Sequence, residues 1–127
     1  DTKLKNIGAH TYEETDDYPD FIIPAAEKVA EKPEEYRGIV LGGSGQGEAI
    51  AANKVPGIRA ALYYGQDLEI VELSRTHNNT NVLSLGARKL DIEQAREAID
   101  LWLRTGFQGV ERHKRRNDKV DAYRPGA

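Results

Sequence analysis

The sequence contains no cysteine and no methionine. Without cysteine there can be no disulfide framework, thiolate nucleophile or cysteine-based metal site, and this agrees with a cytoplasmic protein. No apolar run approaches the length of a membrane span, so we expect no membrane partner. The first residue is Asp1 rather than Met, and we therefore expect the encoded start to lie upstream of this sequence.

The length of 127 residues fits a single domain of ordinary size. Hydrophobic residues make up 39% and charged residues 31%, enough for a packed core and a solvated surface. The net charge of −3 gives no general attraction to nucleic acid. The basic residues nevertheless cluster at 112–116, which reads RHKRR. A basic cluster in an acidic protein suggests a small anionic ligand rather than a polyanion.

Strand and helix patterns alternate along the chain. Short apolar runs predict strands at 37–41, 58–64 and 81–85, and the end of a further strand at Asn6–Ala9. Helical spacing predicts helices at 19–31, 48–54, 68–75, 92–103 and 111–123, with Asp91 as the N-cap of the fourth. The apolar face of that fourth helix is predicted to comprise Ile92, Ala95, Ile99, Trp102 and Leu103. This alternation predicts an α/β fold, a Rossmann-like three-layer sandwich with a parallel sheet and right-handed crossovers.

A glycine-rich loop at 42–47 (GGSGQG) separates the first of these strands from the following helix. Ligands of open α/β sheets bind at the carboxyl ends of strands, where this loop is expected. Its backbone N–H groups and the first turn of the helix would form a cradle for an anion. The glycine spacing fits neither the dinucleotide fingerprint, the phosphate loop of NTPases nor a nucleophile elbow. A tight turn without a ligand is the alternative, although four glycines are more than a turn requires.

Residues 38–62 (GIVLGGSGQGEAIAANKVPGIRAAL) resemble the signature of the type B ribose-5-phosphate isomerase family, which also includes galactose-6-phosphate isomerase subunits. Further matches follow in the family's order: 17–20 (DYPD), 74–79 (SRTHNN), 85–88 (LGAR) and 112–116 (RHKRR). The family opens with a strand and an Asp-His pair that contacts the substrate. We therefore expect residues 1–127 to form one sugar-phosphate isomerase domain that lacks about one βα unit, on the order of 20–30 residues.

The resemblance implies an aldose–ketose isomerase that interconverts ribose 5-phosphate and ribulose 5-phosphate through an enediolate. Many members have a catalytic cysteine where this chain has Ser44, but a subgroup has serine there and a glutamate four residues later. Glu48 is thus the implied base, and the positive end of a helix favours its carboxylate form. An unassisted hydroxyl is too weak an acid to act as the base, so Ser44 would bind substrate or shape the loop.

His77 is implied to open the furanose ring, a proton transfer that suits a side chain titrating near neutrality. Taken alone, His77 and Glu48 are also ordinary residues for a helix C-terminus and a helix first turn. The remaining substrate-binding residues implied by the resemblance are Tyr18, Gly43, Gly45, Gln46, Gly47, Asn78 and Arg88.

Arg112 and Arg116 are four residues apart, so a helix places both on one face. Arginine forks match phosphate oxygens, and the resemblance implies that the terminal helix at 111–123 carries both arginines across a dimer interface to the substrate phosphate. The alternative is a solvated basic face. We expect a homodimer or a dimer of dimers with its active site at the subunit interface.

No cofactor or metal is expected, because His10, His77 and His113 lie far apart in sequence and lack ligand spacing. The identity of the sugar remains open at this level. The alternatives are an isomerase of galactose 6-phosphate or of a tetrulose phosphate, or a non-catalytic protein that binds a sugar phosphate.

Overall fold

A computed structural model describes residues 3–125 and contains three strands and five helices in that part of the chain. The strands are β1 (Gly38–Gly42), β2 (Ala60–Tyr63) and β3 (Val82–Gly86). The helices are α1 (Pro19–Glu31), α2 (Gln46–Asn53), α3 (Glu69–Thr76), α4 (Ile92–Arg104) and α5 (Glu111–Ala122). None of the helices that the structure describes is long and apolar enough to cross a membrane.

The sheet is parallel and has the strand order β1-β3-β2. The chain runs from β1 past β3 to β2 and then returns to β3. Because these two crossovers run in opposite directions along the sheet, a common right-handed sense places α2 and α3 on opposite faces. The helices α2 and α3 do contribute to separate apolar clusters on the two faces of the sheet. The predicted Rossmann-like three-layer sandwich is therefore confirmed.

Each face of the sheet carries its own apolar cluster, since successive strand side chains point to opposite sides. On the first face Val40 and Val82 pack against α1 and α2, with Ile22, Ala26, Val29, Ala51, Ala52 and Ile58. On the second face Leu83 and Leu85 pack against α3 and α4, with Tyr63, Val71, Ala98 and Trp102.

The strand end predicted at Asn6–Ala9 is wrong, because residues 3–9 are irregular. These residues are almost all exposed and pair with no strand in the described part of the chain. The Gly8 N–H donates to Asn6 Oδ1 at 2.9 Å instead. An extended segment gains little stability without a neighbouring strand to pair with. Local hydrogen bonds between side chains and the backbone compete with such pairing.

Helix α4 begins as predicted. Asp91 and Gln94 form a reciprocal capping box, with distances of 2.8 and 2.9 Å between each backbone nitrogen and the opposing side-chain oxygen. Its predicted apolar face was partly wrong, because Ile92 and Leu103 are 70% and 43% exposed. The buried stripe of the helix instead runs through Ala98 and Trp102, with the neighbouring positions Ala95 and Ile99 half-buried.

Candidate active site

The glycine-rich loop lies at the carboxyl end of β1, next to the carboxyl end of β3. β1 leads into α2 on one face and β3 leads into α4 on the other, so the crevice between them is a topological switch point. Two backbone bonds join the loops across it. Ala87 N–H donates to Gly42 O at 2.7 Å, and Arg88 N–H donates to Gly43 O at 3.1 Å.

The conformation of this loop depends on Gly45, which is also the N-cap of α2. Its φ of 78° is left-handed, and a Cβ atom there would lie 2.9 Å from the carbonyl carbon of Leu85. Ser84 Oγ donates to Gly45 O at 2.6 Å and fixes the turn. Because glycine has no side chain to cap the helix, the N–H groups of Gly47 and Glu48 remain available to an anion.

Ser44 is exposed beside these groups, and its Oγ accepts a hydrogen bond from Gln46 N–H at 3.3 Å. The hydroxyl therefore shapes the entrance of α2 and still faces solvent. Gln46 is likewise exposed in the first helical turn.

Glu48 occupies the first turn of α2 and is only 9% exposed. Its carboxylate lies directly against Gly42, where even a Cβ atom would collide with it. Among residues 3–125 it belongs to none of the seven ion pairs. A largely buried carboxylate without a charged partner, beside free backbone donors, is an arrangement that suits a general base.

Two further side chains meet this loop. The Tyr18 hydroxyl packs against Gly47, and the Arg88 guanidinium lies 3.3 Å from the position of a Cβ at Gly43. We call this group the carboxyl half-site. It comprises Tyr18, Gly43, Ser44, Gly45, Gln46, Gly47, Glu48 and Arg88.

His77 lies at the opposite end of the strands from the glycine-rich loop. It is the C-cap of α3, which runs back along the sheet from the end of β2 to the beginning of β3. The neighbouring Asn78 carbonyl accepts a hydrogen bond at 3.0 Å from Nε of Arg59, the residue before β2. Gly38 N–H, at the start of β1, donates to Asn81 O at 2.8 Å. These bonds place Asn78 and the loop that follows it near the amino ends of the strands, and His77 directly precedes that loop.

Helix α5 packs against this end of the sheet through polar contacts. The rings of His77 and His113 are stacked, with centroids 4.0 Å apart and an interplanar angle of 21°. Asn117 Nδ2 donates to His77 O at 3.1 Å. Near the end of the helix, Arg59 Nη1 donates to Asp121 Oδ1 and Oδ2 at 2.8 and 2.6 Å.

Arg112 and Arg116 flank His113 on α5 and are exposed. Their neighbours Lys114 and Arg115 pair with Asp118 and Glu111 respectively. Neither Arg112 nor Arg116 forms an ion pair within the residues that the structure describes. These two guanidinium groups are thus available to an external anion. We call His77, Asn78, Arg112, His113 and Arg116 the amino half-site.

The structure does not bring the two half-sites together in one chain. They lie at opposite ends of parallel strands, and β1 alone, with five residues, spans about 13 Å. Each half-site is therefore internally assembled but separate from the other. The described residues contain no group of three or more side chains that could hold a metal ion.

Sequence reasoning missed Arg75, which fixes the loop that follows His77 and Asn78. Arg75 is 4% exposed and donates to Thr80 O at 2.6 Å, Thr105 O at 2.9 Å and Asn79 Oδ1 at 3.0 Å. Burial, with Arg37 and Arg59 nearby, lowers the pKa of Arg75 to about 10. Arg75 lies within the SRTHNN motif at 74–79. The motif could have pointed to Arg75, but only His77 and Asn78 were selected from it.

The model of the Ribose/Galactose Isomerase family matches residues 1–120. The chain belongs to this family. Ribose-5-phosphate isomerase B of Mycolicibacterium paratuberculosis is 43% identical over 118 residues, which cover 93% of this chain and 72% of that protein. D-erythrulose-4-phosphate isomerase 2 of Mycolicibacterium smegmatis is 36% identical over 120 residues, or 94% of this chain and 77% of that protein.

Solved structures of the family agree with the fold. The type B ribose 5-phosphate isomerase of Trypanosoma brucei has a TM-score of 0.83 and 44% identity, covering 91% of this chain and 75% of that one. Ribose-5-phosphate isomerase B of Mycoplasma genitalium with bound ribulose 5-phosphate has a TM-score of 0.88 and 36% identity, covering 95% and 78%. This member of the ribose/galactose isomerase family is a sugar-phosphate isomerase.

Proposed function

We propose that the chain interconverts ribose 5-phosphate and ribulose 5-phosphate, with Glu48 as the base. The observation that carries this proposal is the largely buried, unpaired Glu48 carboxylate beside the free N–H groups of the glycine-rich loop. The relative from M. genitalium binds ribulose 5-phosphate, and this supports a five-carbon substrate.

The proposed reaction begins with opening of the ribofuranose ring. His77 transfers the proton that moves from the C1 hydroxyl to the ring oxygen, giving the open-chain aldehyde. Glu48 then removes the proton from C2, and an enediolate forms. A proton passes from the C2 hydroxyl to O1, and return of the abstracted proton to C1 completes the ketose, so the reaction consumes no co-reactant.

The glycine-rich loop would stabilise the charge that develops on the substrate oxygen. Gly47 and Glu48 N–H groups, with Gly43 and Gly45 shaping their approach, supply donors at the positive end of α2. One such donor is typically worth about 3–4 kcal/mol of transition-state stabilisation. The exposed Ser44 and Gln46 side chains, and Tyr18 against Gly47, would contact the sugar hydroxyls.

Arg112 and Arg116 would bind the substrate phosphate, with Asn78 beside them and Arg88 as a further contact from the carboxyl half-site. Both arginines lie on the amino half-site, away from Glu48 of the same chain. A complete site therefore needs two copies of the chain, with the carboxyl half-site of one facing α5 of the other. We accordingly propose a homodimer, or a dimer of dimers, with active sites at the interface.

The test is turnover of ribose 5-phosphate by the purified full-length protein beside a Glu48→Gln variant. Loss of the base should lower kcat about 10²–10⁴-fold. Glu93→Gln is the matched control, because it removes an exposed first-turn carboxylate from α4. A Glu48→Gln protein with full activity would remove Glu48 from the mechanism.

A four-carbon sugar phosphate is the second candidate substrate, and the D-erythrulose-4-phosphate isomerase relative favours it. The same assay with erythrulose 4-phosphate separates the two. A higher kcat/KM for erythrulose 4-phosphate than for ribulose 5-phosphate would replace the proposed substrate and leave the proposed base unchanged.

A further inference from the structure

His113 has no part in the chemistry described above, although it contacts the ring of His77 directly. It is 7% exposed and lies on α5 between the two free arginines. The two histidines are 36 positions apart in the sequence, yet their ring centroids lie within 4.0 Å at an interplanar angle of 21°.

We propose that His113 is a positioning residue, whose ring fixes the plane of the His77 imidazole for the proton transfer that opens the sugar ring. This inference rests on the proposed function, since it assigns a support to one of its steps.

The first argument is orientation. Rotation of a histidine ring about its second side-chain torsion is only weakly restricted by intrinsic preference, so packing has to set the ring plane. Within residues 3–125, neither ring nitrogen of His77 takes part in a side-chain hydrogen bond, and its only ring-to-ring contact is His113. The stack covers one face of the imidazole and leaves the nitrogen-bearing edge for a ligand.

The second argument is charge. Burial lowers the pKa of His113, and the neighbouring His77, Arg112 and Arg116 lower it further. These are the charged groups that face His113 from α3 and from its own helix. A neutral His113 lets His77 take up a proton without a second imidazolium stacked upon it.

The third argument is that His113 lies on the same helix as the two arginines that would bind the phosphate. Arg112 and Arg116 lie on the same helix as His113, one residue before it and three residues after it. A phosphate held by these arginines is thus fixed relative to the ring that sets His77. The distance from the sugar phosphate to the His77 ring then depends on how α5 packs against the end of α3.

The experiment compares His113→Ala, which removes the ring, with His113→Phe, which keeps a flat ring without nitrogens. Lys119→Ala is the control, because it changes an exposed residue on the same helix. Two rates are measured for each protein. One is kcat and KM with ribose 5-phosphate, and the other is deuterium uptake at C1 of ribulose 5-phosphate in D₂O. Ribulose 5-phosphate cannot close a furanose ring because its C5 oxygen carries the phosphate, so the exchange needs the base but no ring opening.

We expect His113→Ala to lower kcat on ribose 5-phosphate about tenfold, less than the ~100-fold cost of a 1 Å displacement because His77 keeps its backbone position and loses only the packing of its ring. KM should change less than about twofold. His113→Phe should recover most of that loss, and deuterium uptake should persist in both variants. A rise in KM at unchanged kcat would overturn the inference, since His113 would then bind phosphate. Equal losses of turnover and exchange would also overturn it, because they indicate a general structural role. A wild-type protein that shows neither turnover nor exchange would instead refute the proposed function itself.

Discussion

Glu48 and His77 of one chain lie at opposite ends of the same parallel sheet. Glu48 follows the carboxyl end of β1, and His77 precedes the amino end of β3, its hydrogen-bonded neighbour. The intervening strand spans about 13 Å, which no rotation of two side chains can bridge within a packed sheet. If both residues act on one substrate molecule, they must come from different copies of the chain.

The first prediction is that two inactive variants will restore activity to each other. A Glu48→Gln chain keeps His77, and a His77→Asn chain keeps Glu48. A mixed dimer then contains one site with both groups intact and one site with neither. With random exchange of subunits, half of the dimers are mixed, so the mixture should reach about a quarter of wild-type turnover.

The measurement is kcat with ribose 5-phosphate after equimolar mixing under conditions that allow subunit exchange. Mixing Glu48→Gln with a Glu48→Gln, His77→Asn double variant is the control, because no pairing of those chains restores a site. If the first mixture stays as inactive as its components, the site does not combine Glu48 and His77 of different chains.

The main elements of the fold were predictable because their signals are local. The run of β1 followed by GGSGQG indicates a strand, a loop and a helix start, and Asp91 marks the beginning of α4 through its own capping box. Asn6–Ala9 was mispredicted because a strand depends on a partner elsewhere. Ile92 has the right helical spacing, but its burial depends on where α4 meets the sheet.

The carboxyl half-site was likewise predictable, since most of its members are contiguous in the loop. The amino half-site was predicted only as two separate groups, His77 with Asn78 and Arg112 with Arg116. Its contacts join Arg59, His77 and α5, which are distant in sequence, and His113 was considered only as a metal ligand. The stack between the two histidines depends on how the terminal helix packs, and sequence spacing does not predict that packing.

The second prediction concerns Gly42→Ala. Gly42 lies in a strand without a left-handed φ, so the backbone can accept alanine, but the added methyl group would displace the Glu48 carboxylate. We expect kcat with ribose 5-phosphate to fall about 100-fold, the effect of a misplacement near 1 Å, with KM little changed. Gly106→Ala is the control, because a Cβ there meets nothing within 4 Å. Unchanged kcat in Gly42→Ala would show that the position of Glu48 does not limit the reaction.

The third prediction concerns Asp121→Asn, which weakens the link between Arg59 and the end of α5. Arg59 also donates to the carbonyls of Asn78 and Asn79, so the pair ties the helix to the loop after His77. We expect KM for ribose 5-phosphate to rise several-fold while kcat is largely kept.

The same substitution should lower the free energy of unfolding by about 1 kcal/mol, since the pair is only partly shielded from water. Asp118→Asn breaks an exposed pair with Lys114 on the same helix and should change stability much less, because water screens that pair. Denaturant titrations and steady-state kinetics give both quantities. Equal effects of the two substitutions on KM would contradict a specific role for the Arg59–Asp121 pair.

The last prediction is a pH dependence of stability caused by His113. Its pKa in the folded protein is lowered from the ordinary value of 6.5, chiefly by burial. Below pH 6.5 the unfolded chain therefore binds a proton that the folded chain resists, and stability falls as the pH drops from 6.5 through the lowered pKa. His113→Phe cannot bind that proton, so its stability should fall less over the same range. Thermal melts of both proteins from pH 8 to pH 5 measure the difference, at one protein concentration because the proposed dimer would make stability depend on concentration. Parallel curves would mean that His113 is protonated as readily in the folded protein as in the unfolded chain, and that the ring facing His77 is not held neutral.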